Sequence, residues 1–430
     1  MKLLIKNGRV VDPATQTDET LDILIVDGKI VELRSRIAGG DFPQIDASSL
    51  VVAPGFIDLH AHVREPGQEE KEDLATASRA AAKGGFTTIC AMPNTNPVND
   101  HRGVTEYLIR EAKKKAVVNI LPIAAITAGL LGEELTDMTD LIGAGAVAFS
   151  DNGQGVQNSQ VMRRALERAD SLETLIIDHC EDRNLSQGGQ INEGTSSRLL
   201  GLKGIPASAE DVMVGRDLIL AEAAGARIHI AHLSTRGAVG LVREAKKRNA
   251  RVSAEATPHH LVLDDSALQN LDPNLKVNPP LRGPEDVRAL RDAVRDGTVD
   301  ALATDHAPHT SQEKNAGFDR APFGIAGLET AVSLLLDRLV YGNIISLPQL
   351  VGMFSFRPAQ ILGLRGKGRI SSGADADLTI LDPRKEVVVD VLGFASKSRN
   401  NPFHGWKLKG AVQMTIVGGR VVYPFSGLRP

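Results

Sequence analysis

Between about Pro54 and Asp305, the chain contains eight short apolar stretches, each followed by a helical pattern. Apolar stretches that alternate with amphipathic helical patterns predict strand–helix units and a parallel sheet. Eight such units predict a (β/α)8 barrel of the TIM type. An open doubly wound sheet is the alternative, but no GxGxxG nucleotide fingerprint follows any predicted strand. The strands are expected to end near His60, Asn94, Ile126, Asp151, His179, His232, Thr257 and Asp305.

The two ends of the chain differ from the barrel region in their pattern of apolar and turn residues. Residues 1–53 contain short alternating apolar runs separated by Asn-Gly and Asp-Gly pairs, which are typical of β-hairpins. The same strand-and-turn pattern returns in residues 367–430. We therefore predict that residues 1–53 and 367–430 form one small β-sandwich domain, and that residues 54–366 form the catalytic barrel.

Composition excludes several classes of partner. Across 430 residues, 49 basic and 53 acidic side chains give a net charge of −4, which provides no footprint for nucleic acid or an anionic membrane. Aromatic residues make up only 3%, which leaves little material for stacking against bases. We expect a small-molecule substrate, with no nucleic acid and no membrane partner.

The cysteines and the N-terminus indicate a cytoplasmic protein. Cys90 and Cys180 are too few for a disulfide framework and fit a reducing compartment. The opening stretch, MKLLIKNGRVVD, lacks the apolar core of a signal peptide. The longest mostly apolar run, from Leu121 to Leu131, is well short of a membrane span.

Polar side chains gather at the predicted C-terminal ends of the strands, where barrels of this kind carry their chemistry. In DLHAHVREPG, the residues His60, His62 and Arg64 alternate, so on an extended strand they share one face. Three further groups end the fifth, sixth and eighth strands: His179, His232 and Asp305. Imidazole and carboxylate ligands suit zinc, and a guanidinium suits a carboxylate. The pattern predicts a metal centre with an anion-binding arginine beside it.

Each of these residues also has a purely structural alternative. His60 and His62 could be hydrogen-bonded core histidines, and Asp305 could cap a turn. Several such groups are expected at the same end of one barrel. This clustering favours metal binding over a chance gathering of structural residues. His229 precedes His232 by three residues, so strand alternation predicts that it points to the opposite face and is structural.

A set of motifs, in order along nearly the whole chain, resembles the amidohydrolase superfamily and, within it, the dihydroorotases of the long bacterial type. The motifs are DLHAHVREPG, AMPNTNP, DHCED, AHLST, VNPPLR, ATDHAPH and GADADLTILDP. HxH alone is common to the superfamily, whereas REPG, MPNTNP and TDHAPH together are more specific. The resemblance implies a metal-dependent cyclic amidohydrolase of de novo pyrimidine (UMP) biosynthesis. Such an enzyme reversibly converts N-carbamoyl-L-aspartate to (S)-dihydroorotate and water.

The resemblance also implies roles for individual residues. His60, His62 and Asp305 would hold one zinc ion. His179 and His232 would hold a second. Asp305 would also act as general base and then general acid in metal-assisted hydrolysis of the cyclic amide. The implied substrate-binding residues are Arg64, Asn94, Asn278 and His309, with main-chain groups at Phe323 and Gly324.

One position departs from the family pattern. The long-type family usually reads Asp-Asp-Gly at the end of strand four, with the second aspartate bridging two metals. This chain reads Ser150-Asp151-Asn152-Gly153 there. The amide of Asn152 is neutral and a poor bridge between two cations, and strand alternation turns Asp151 away unless the strand end is bulged. We therefore expect one or two zinc ions per chain, with the second site weakened by Asn152.

Two other functions fit parts of the pattern. Hydantoinases and most related cyclic amidases bridge their metals with a carboxylated lysine at the end of strand four. Allantoinase-like enzymes are included in this class. This chain has no lysine between Lys115 and Lys203, which argues against such a site. A non-catalytic subunit that scaffolds aspartate carbamoyltransferase would be expected to lose its ligand set, which this chain retains. We expect an active homodimer, with aspartate carbamoyltransferase as a candidate partner.

Overall fold

The structure, a computed structural model, describes residues 1–248 and 250–424. Its strands are β1 (Lys2–Asp12), β2 (Thr17–Val26), β3 (Lys29–Arg34), β4 (Gln44–Asp46), β5 (Val51–Pro54), β6 (Phe56–Ala61), β7 (Phe86–Ala91), β8 (Asn119–Ala124), β9 (Ala148–Phe149), β10 (Ile176–Asp178), β11 (Ile191–Asn192), β12 (Gly204–Ile205), β13 (Ile228–Ile230), β14 (Val252–Ala256), β15 (Ala301–Leu302), β16 (Leu378–Val388), β17 (Lys407–Val417) and β18 (Arg420–Tyr423). Its α-helices are α1 (Leu74–Lys83), α2 (Arg102–Lys115), α3 (Met138–Ala144), α4 (Ser159–Ser171), α5 (Arg183–Ser186), α6 (Thr195–Leu200), α7 (Ser208–Ala224), α8 (Arg236–Lys247), α9 (Pro258–Val262), α10 (Pro284–Asp296), α11 (Ser311–Lys314), α12 (Ala331–Leu335), α13 (Leu347–Phe354) and α14 (Phe356–Leu362).

Eight parallel strands form a nearly closed barrel in the order β6-β7-β8-β9-β10-β13-β14-β15. The last strand returns to the first through a parallel bridge between Ala61 and His306. Asp58 reinforces this closure, because its carboxylate accepts hydrogen bonds from the main-chain N–H (2.9 Å) and the hydroxyl (2.5 Å) of Thr304. Each strand ends within three residues of its predicted position. The predicted (β/α)8 fold is confirmed.

Aliphatic side chains hold the strands and helices together. Strands β6 and β7 are buried at every position, as expected where helices cover a parallel sheet. Helix α10 buries Val287, Leu290 and Val294, which recur at helical spacing along one face. Burial of such surface contributes about 25 cal/mol per Å² to folding. The strand ends that carry polar residues therefore rest on a packed scaffold.

Strands from the two ends of the chain form a second, separate sheet, in the order β18-β17-β16-β5-β1-β2-β3 with β4 on β1. Strand β16 pairs antiparallel with both β5 and β17, so C-terminal strands complete a sheet begun by N-terminal ones. The turn at Gly28 lies against the turn at Gly418, and a buried cluster includes Ile5, Ile30 and Ile416. The two termini thus pack together, as the sequence predicts.

Two inserted segments lie near the carboxyl ends of the barrel strands. Residues 183–205 contain α5, α6 and the short β11–β12 pair. Residues 389–406 connect β16 to β17 and contact the polypeptide that follows β15. Within the described residues, no helix combines the length and the apolar character needed to cross a membrane.

Candidate active site

The C-terminal ends of the barrel strands surround a pocket of about 300 Å³. His60 is completely buried and does not line the pocket. Its Nε2 lies 3.5 Å from the carboxylate of Asp305, which does line it. The structure therefore brings all the predicted site residues together. Those that line the pocket are His62, Arg64, Asn94, His179, His232, Asn278, Asp305, His309, Phe323 and Gly324.

His60, His62 and Asp305 form the first of two ligand clusters. Their ligand atoms lie within 4.8 Å of one another, and His62 Nε2 is 3.3 Å from Asp305 Oδ1. His60 Nε2 is buried and makes no hydrogen bond to any described residue. Such an unpaired buried nitrogen needs an explanation, and a metal ion at this point would satisfy it. Two imidazoles and a carboxylate are also a donor set that zinc accepts in catalytic sites.

The outer nitrogens of these imidazoles are held by other side chains. His60 Nδ1 lies 3.0 Å from Glu255 Oε1, and His62 Nδ1 lies 2.8 Å from Asn94 Oδ1. Because each oxygen accepts the Nδ1 proton, the Nε2 lone pairs are directed into the cluster. Burial lowers the pKa of His62 to about 4, so its imidazole is neutral and able to bind a metal.

Glu255, on β14, contacts the candidate metal ligand His60 and was not predicted from the sequence. Its second carboxylate oxygen lies 3.1 Å from His229 Nε2, so both His60 and His229 contact this one side chain. The prediction that His229 points to the opposite face is therefore wrong. Strand β13 ends at Ile230 and His232 has a positive φ of 31°, so strand alternation does not extend to it. The available signal for Glu255 was an acidic residue within the strand RVSAEAT.

His179 and His232 form the second ligand cluster. His179 Nδ1 lies 2.9 Å from His232 Nε2, so the two nitrogens face one point. His179 Nε2 lies 3.0 Å from Glu181 Oε2, and that oxygen also accepts a 2.6 Å hydrogen bond from Asn278 Nδ2. Glu181, in the motif DHCED, was also missed by the sequence analysis. Both candidate ligands here are imidazoles, whereas the first cluster includes a carboxylate.

At the end of β9, Asn152 faces the pocket and Asp151 faces away. Asp151 accepts hydrogen bonds from the main-chain N–H groups of Ile126 and Thr127 at 2.8 and 3.0 Å. Asn152 Nδ2 lies 3.4 Å from His62 Nε2, and Asn152 Oδ1 is buried without a partner in the described part of the chain. The group that this strand presents to the pocket is therefore a neutral amide.

Arg64 and His309 form one corner of the pocket, which is named the anion-binding corner for the buried cation that it contains. Arg64 is buried, its Nε donates to the carbonyl of Pro308 at 3.1 Å, and its Nη2 is 3.4 Å from His309 Nε2. Burial and the neighbouring Arg64 cation lower the pKa of His309 to about 3, so its imidazole is neutral. A buried guanidinium beside neutral polar groups is suited to binding a carboxylate.

Two family models match the chain. One, described as Dihydro-orotase-like, matches residues 49–238, and the other, described as Amidohydrolase family, matches residues 225–423. A dihydroorotase of Pelotomaculum thermopropionicum is 53% identical over 98% of both chains. A dihydroorotase of Syntrophus aciditrophicus is 51% identical over 98% of this chain and 99% of its own.

Solved structures share the fold at lower sequence identity. The L-hydantoinase (dihydropyrimidinase) from Arthrobacter aurescens superposes with a TM-score of 0.90 at 27% identity, covering 98% of this chain and 95% of that chain. The dihydropyrimidinase from Brevibacillus agri NCHU1002 gives a TM-score of 0.85 at 26% identity over the same shares. The sequence relatives and the structural relatives therefore differ in the reactions that their names state.

Proposed function

The chain belongs to the dihydroorotase family of the amidohydrolases, and we propose that its own residues carry out the family's reaction as follows. The protein is a cyclic amidohydrolase that interconverts N-carbamoyl-L-aspartate with (S)-dihydroorotate and water, a step of pyrimidine biosynthesis. The observation that carries this conclusion is 53% identity over 98% of both chains, because likeness of that extent includes the pocket loops as well as the barrel.

The anion-binding corner separates this reaction from that of the hydantoinases with the same fold. Dihydroorotate has a carboxylate on its ring, and Arg64 presents a planar fork of donors to match it. Asn94 and His309 line the same pocket, and the Asn94 amide can donate to that carboxylate. A ring without the carboxylate would leave the buried Arg64 cation without an anionic partner, which is costly in a low dielectric. We assign the ring carboxylate to this corner.

We assign a zinc ion to His60, His62 and Asp305. The fit rests on the unpaired Nε2 of His60 and on the outward hydrogen bond from the Nδ1 of each imidazole. A zinc ion held there would supply Lewis acidity and would lower the pKa of a water that it bound. Glu255 and Asn94 keep the two imidazoles in the tautomer that leaves Nε2 free.

Asp305 is the proposed proton carrier. Burial alone would raise its pKa, but the imidazoles of His60 and His62 hold that pKa far below its usual range. The carboxylate is therefore ionised and able to accept a proton from the attacking water. It then returns that proton to the ring nitrogen as the amide bond breaks, and the two transfers reverse when the ring closes.

The second cluster is the proposed weaker metal site. His179 and His232 offer two neutral nitrogens, and Asn152 offers a neutral amide where the family usually has a bridging carboxylate. Less negative charge is then available to offset two cations held close together. We propose that the first site fills before the second, so that the protein works with one firmly held metal.

The test is to measure zinc per chain together with ring closure of N-carbamoyl-L-aspartate on the purified protein. We expect ring closure and its reversal, with at least one zinc bound. Faster hydrolysis of 5-substituted hydantoins than of dihydroorotate would instead favour a hydantoinase. No turnover of either substrate, with stimulation of added aspartate carbamoyltransferase, would favour the scaffold. Homodimer formation, association with that enzyme and a cytoplasmic location stay predictions.

A further inference from the structure

The segment that connects β16 to β17 contributes buried polar side chains beside the pocket. Ser398, Asn400 and Asn401 are each 3% exposed, although they come from the part of the chain that builds the terminal sheet. Ser398 Oγ donates a 2.9 Å hydrogen bond to the carbonyl of His309. This segment therefore contacts the polypeptide that carries the anion-binding corner.

Asn400 uses its whole side-chain amide on that polypeptide. Its Oδ1 accepts a hydrogen bond from the main-chain N–H of His309 at 3.2 Å. Its Nδ2 donates to the carbonyls of Ala307 and Gly324, each at 3.0 Å. One buried side chain thus joins the loop that follows β15 to the separate loop that contains Gly324.

These two loops form the part of the pocket that faces Arg64. His309 Nε2 lies 2.9 Å from the carbonyl of Phe323 and 3.4 Å from Arg64 Nη2. Gly324, at a φ of 141°, is so close to Ala307 that an added Cβ would lie 2.7 Å from the Ala307 Cβ. The spacing of the loops therefore determines where His309 and the main chain around Gly324 lie relative to the guanidinium.

We propose that Asn400 is a positioning residue for the carboxylate of the substrate. It acts through His309 and Gly324, whose loops it holds together alongside the 2.8 Å hydrogen bond from Ala307 N–H to the Ile325 carbonyl, and it is not among the residues that line the pocket. This inference rests on the proposed function, which places the ring carboxylate at Arg64 and His309. Because binding groups must be held to within a fraction of an ångström, loss of the Asn400 hydrogen bonds weakens recognition of the carboxylate.

Asn401 provides a matched control. It is buried to the same degree, its Nδ2 donates to the carbonyl of Ala326 (3.0 Å) and to the hydroxyl of Thr330 (3.1 Å), and its Oδ1 accepts from Phe403 N–H (2.9 Å). None of these three partners lines the pocket. Replacing Asn401 therefore removes a comparable set of buried hydrogen bonds, one of them two residues beyond Gly324, and leaves the bonds of Asn400 to Ala307, His309 and Gly324 in place.

The experiment compares Asn400→Ala and Asn401→Ala in the full-length, zinc-loaded protein. Thermal unfolding measures the structural cost, and calorimetric titration with orotate, a planar analogue that keeps the ring carboxylate, measures recognition. We expect both variants to lose stability to a similar degree. Only Asn400→Ala should weaken orotate binding and raise the KM for dihydroorotate, each roughly tenfold, with a smaller change in kcat.

Equal orotate affinity and equal KM in the two variants would overturn the inference and leave Asn400 as a structural residue. If Asn400→Ala does not fold, Ser398→Ala removes the hydroxyl that lies 2.9 Å from the carbonyls of both His309 and Lys71, and it is expected to raise the KM about threefold. An unchanged KM in that variant would overturn the inference in the same way. Absence of dihydroorotate turnover in the wild-type protein is a separate outcome, because it would overturn the proposed function itself.

Discussion

The carboxylate of Asp151 accepts hydrogen bonds from both the main-chain N–H of Thr127, at 3.0 Å, and the hydroxyl of the same residue. This pair ties the end of β9 to the loop that follows β8. Burial raises the pKa of Asp151 to about 6, while the hydrogen bonds from Thr127 oppose that rise. Asp151 therefore has a structural role. Asn152 is the side chain at the end of β9 that faces the two candidate metal clusters.

Asn152→Asp is expected to raise occupancy of the second metal site and to increase turnover, because it adds a carboxylate where the chain has a neutral amide. Zinc per chain after dialysis measures the effect, and Asp151→Asn is the control that should leave zinc content unchanged. Asn-Gly pairs deamidate, so mass spectrometry must first establish that Asn152 is intact. Two stoichiometric zinc ions in intact wild-type protein would contradict this prediction.

Glu181→Gln is expected to weaken the second metal site while sparing the first. The substitution removes the anionic acceptor 3.0 Å from His179 Nε2, which orients the imidazole so that Nδ1 faces His232. Loss of such an outer hydrogen bond typically reduces metal affinity about 10- to 100-fold. Competition with a chelator measures each site, and the first site serves as the internal control. Equal affinities in variant and wild type would show that Glu181 has no such role.

Arg64→Met is expected to reduce kcat/KM for dihydroorotate by roughly 100-fold or more, since it removes a charge-assisted pair with the ring carboxylate. Arg64→Lys keeps the charge but loses the planar fork, so it should recover only part of the activity. Steady-state kinetics on dihydroorotate and on 5-substituted hydantoins measure both variants. Full turnover of dihydroorotate by Arg64→Met would contradict the substrate assignment.

Asp305→Ala is expected to abolish turnover and to leave the barrel folded, because Asp305 follows β15 and is a polar group at the pocket rather than part of the apolar core. Circular dichroism and thermal unfolding test the fold, and ring closure of N-carbamoyl-L-aspartate tests the chemistry. Zinc content should fall in parallel, since one of three first-cluster ligands is lost. Retained activity would rule out Asp305 as proton carrier.

Much of the fold could be predicted from the sequence because its signals are local. Apolar stretches such as GFIDLH and RIHIAH are short, bounded and separated by amphipathic helices, so they mark strands whatever their neighbours are. The strand ends then follow, and with them the meeting of His60, His179, His232 and Asp305 at one end of the barrel. The pairing of the two termini was also predictable, since both end segments carry the same pattern of short strands and turns, which differs from the strand–helix pattern between them.

The barrel, the paired terminal strands and the polar residues that converge at the pocket were therefore predictable from local patterns in the chain. The atoms that face the metal clusters were not predictable in this way, because contacts between distant residues orient them. Glu255 orients His60 across 195 positions of sequence, and Asn400 contacts His309 across 91. His229 faces Glu255 through the pairing of β13 with β14, and His232 escapes the strand alternation because β13 ends before it. The physical reason is that these side chains are oriented by hydrogen-bond partners distant in sequence and by single departures from strand geometry. Neither cause produces a periodic pattern in the sequence.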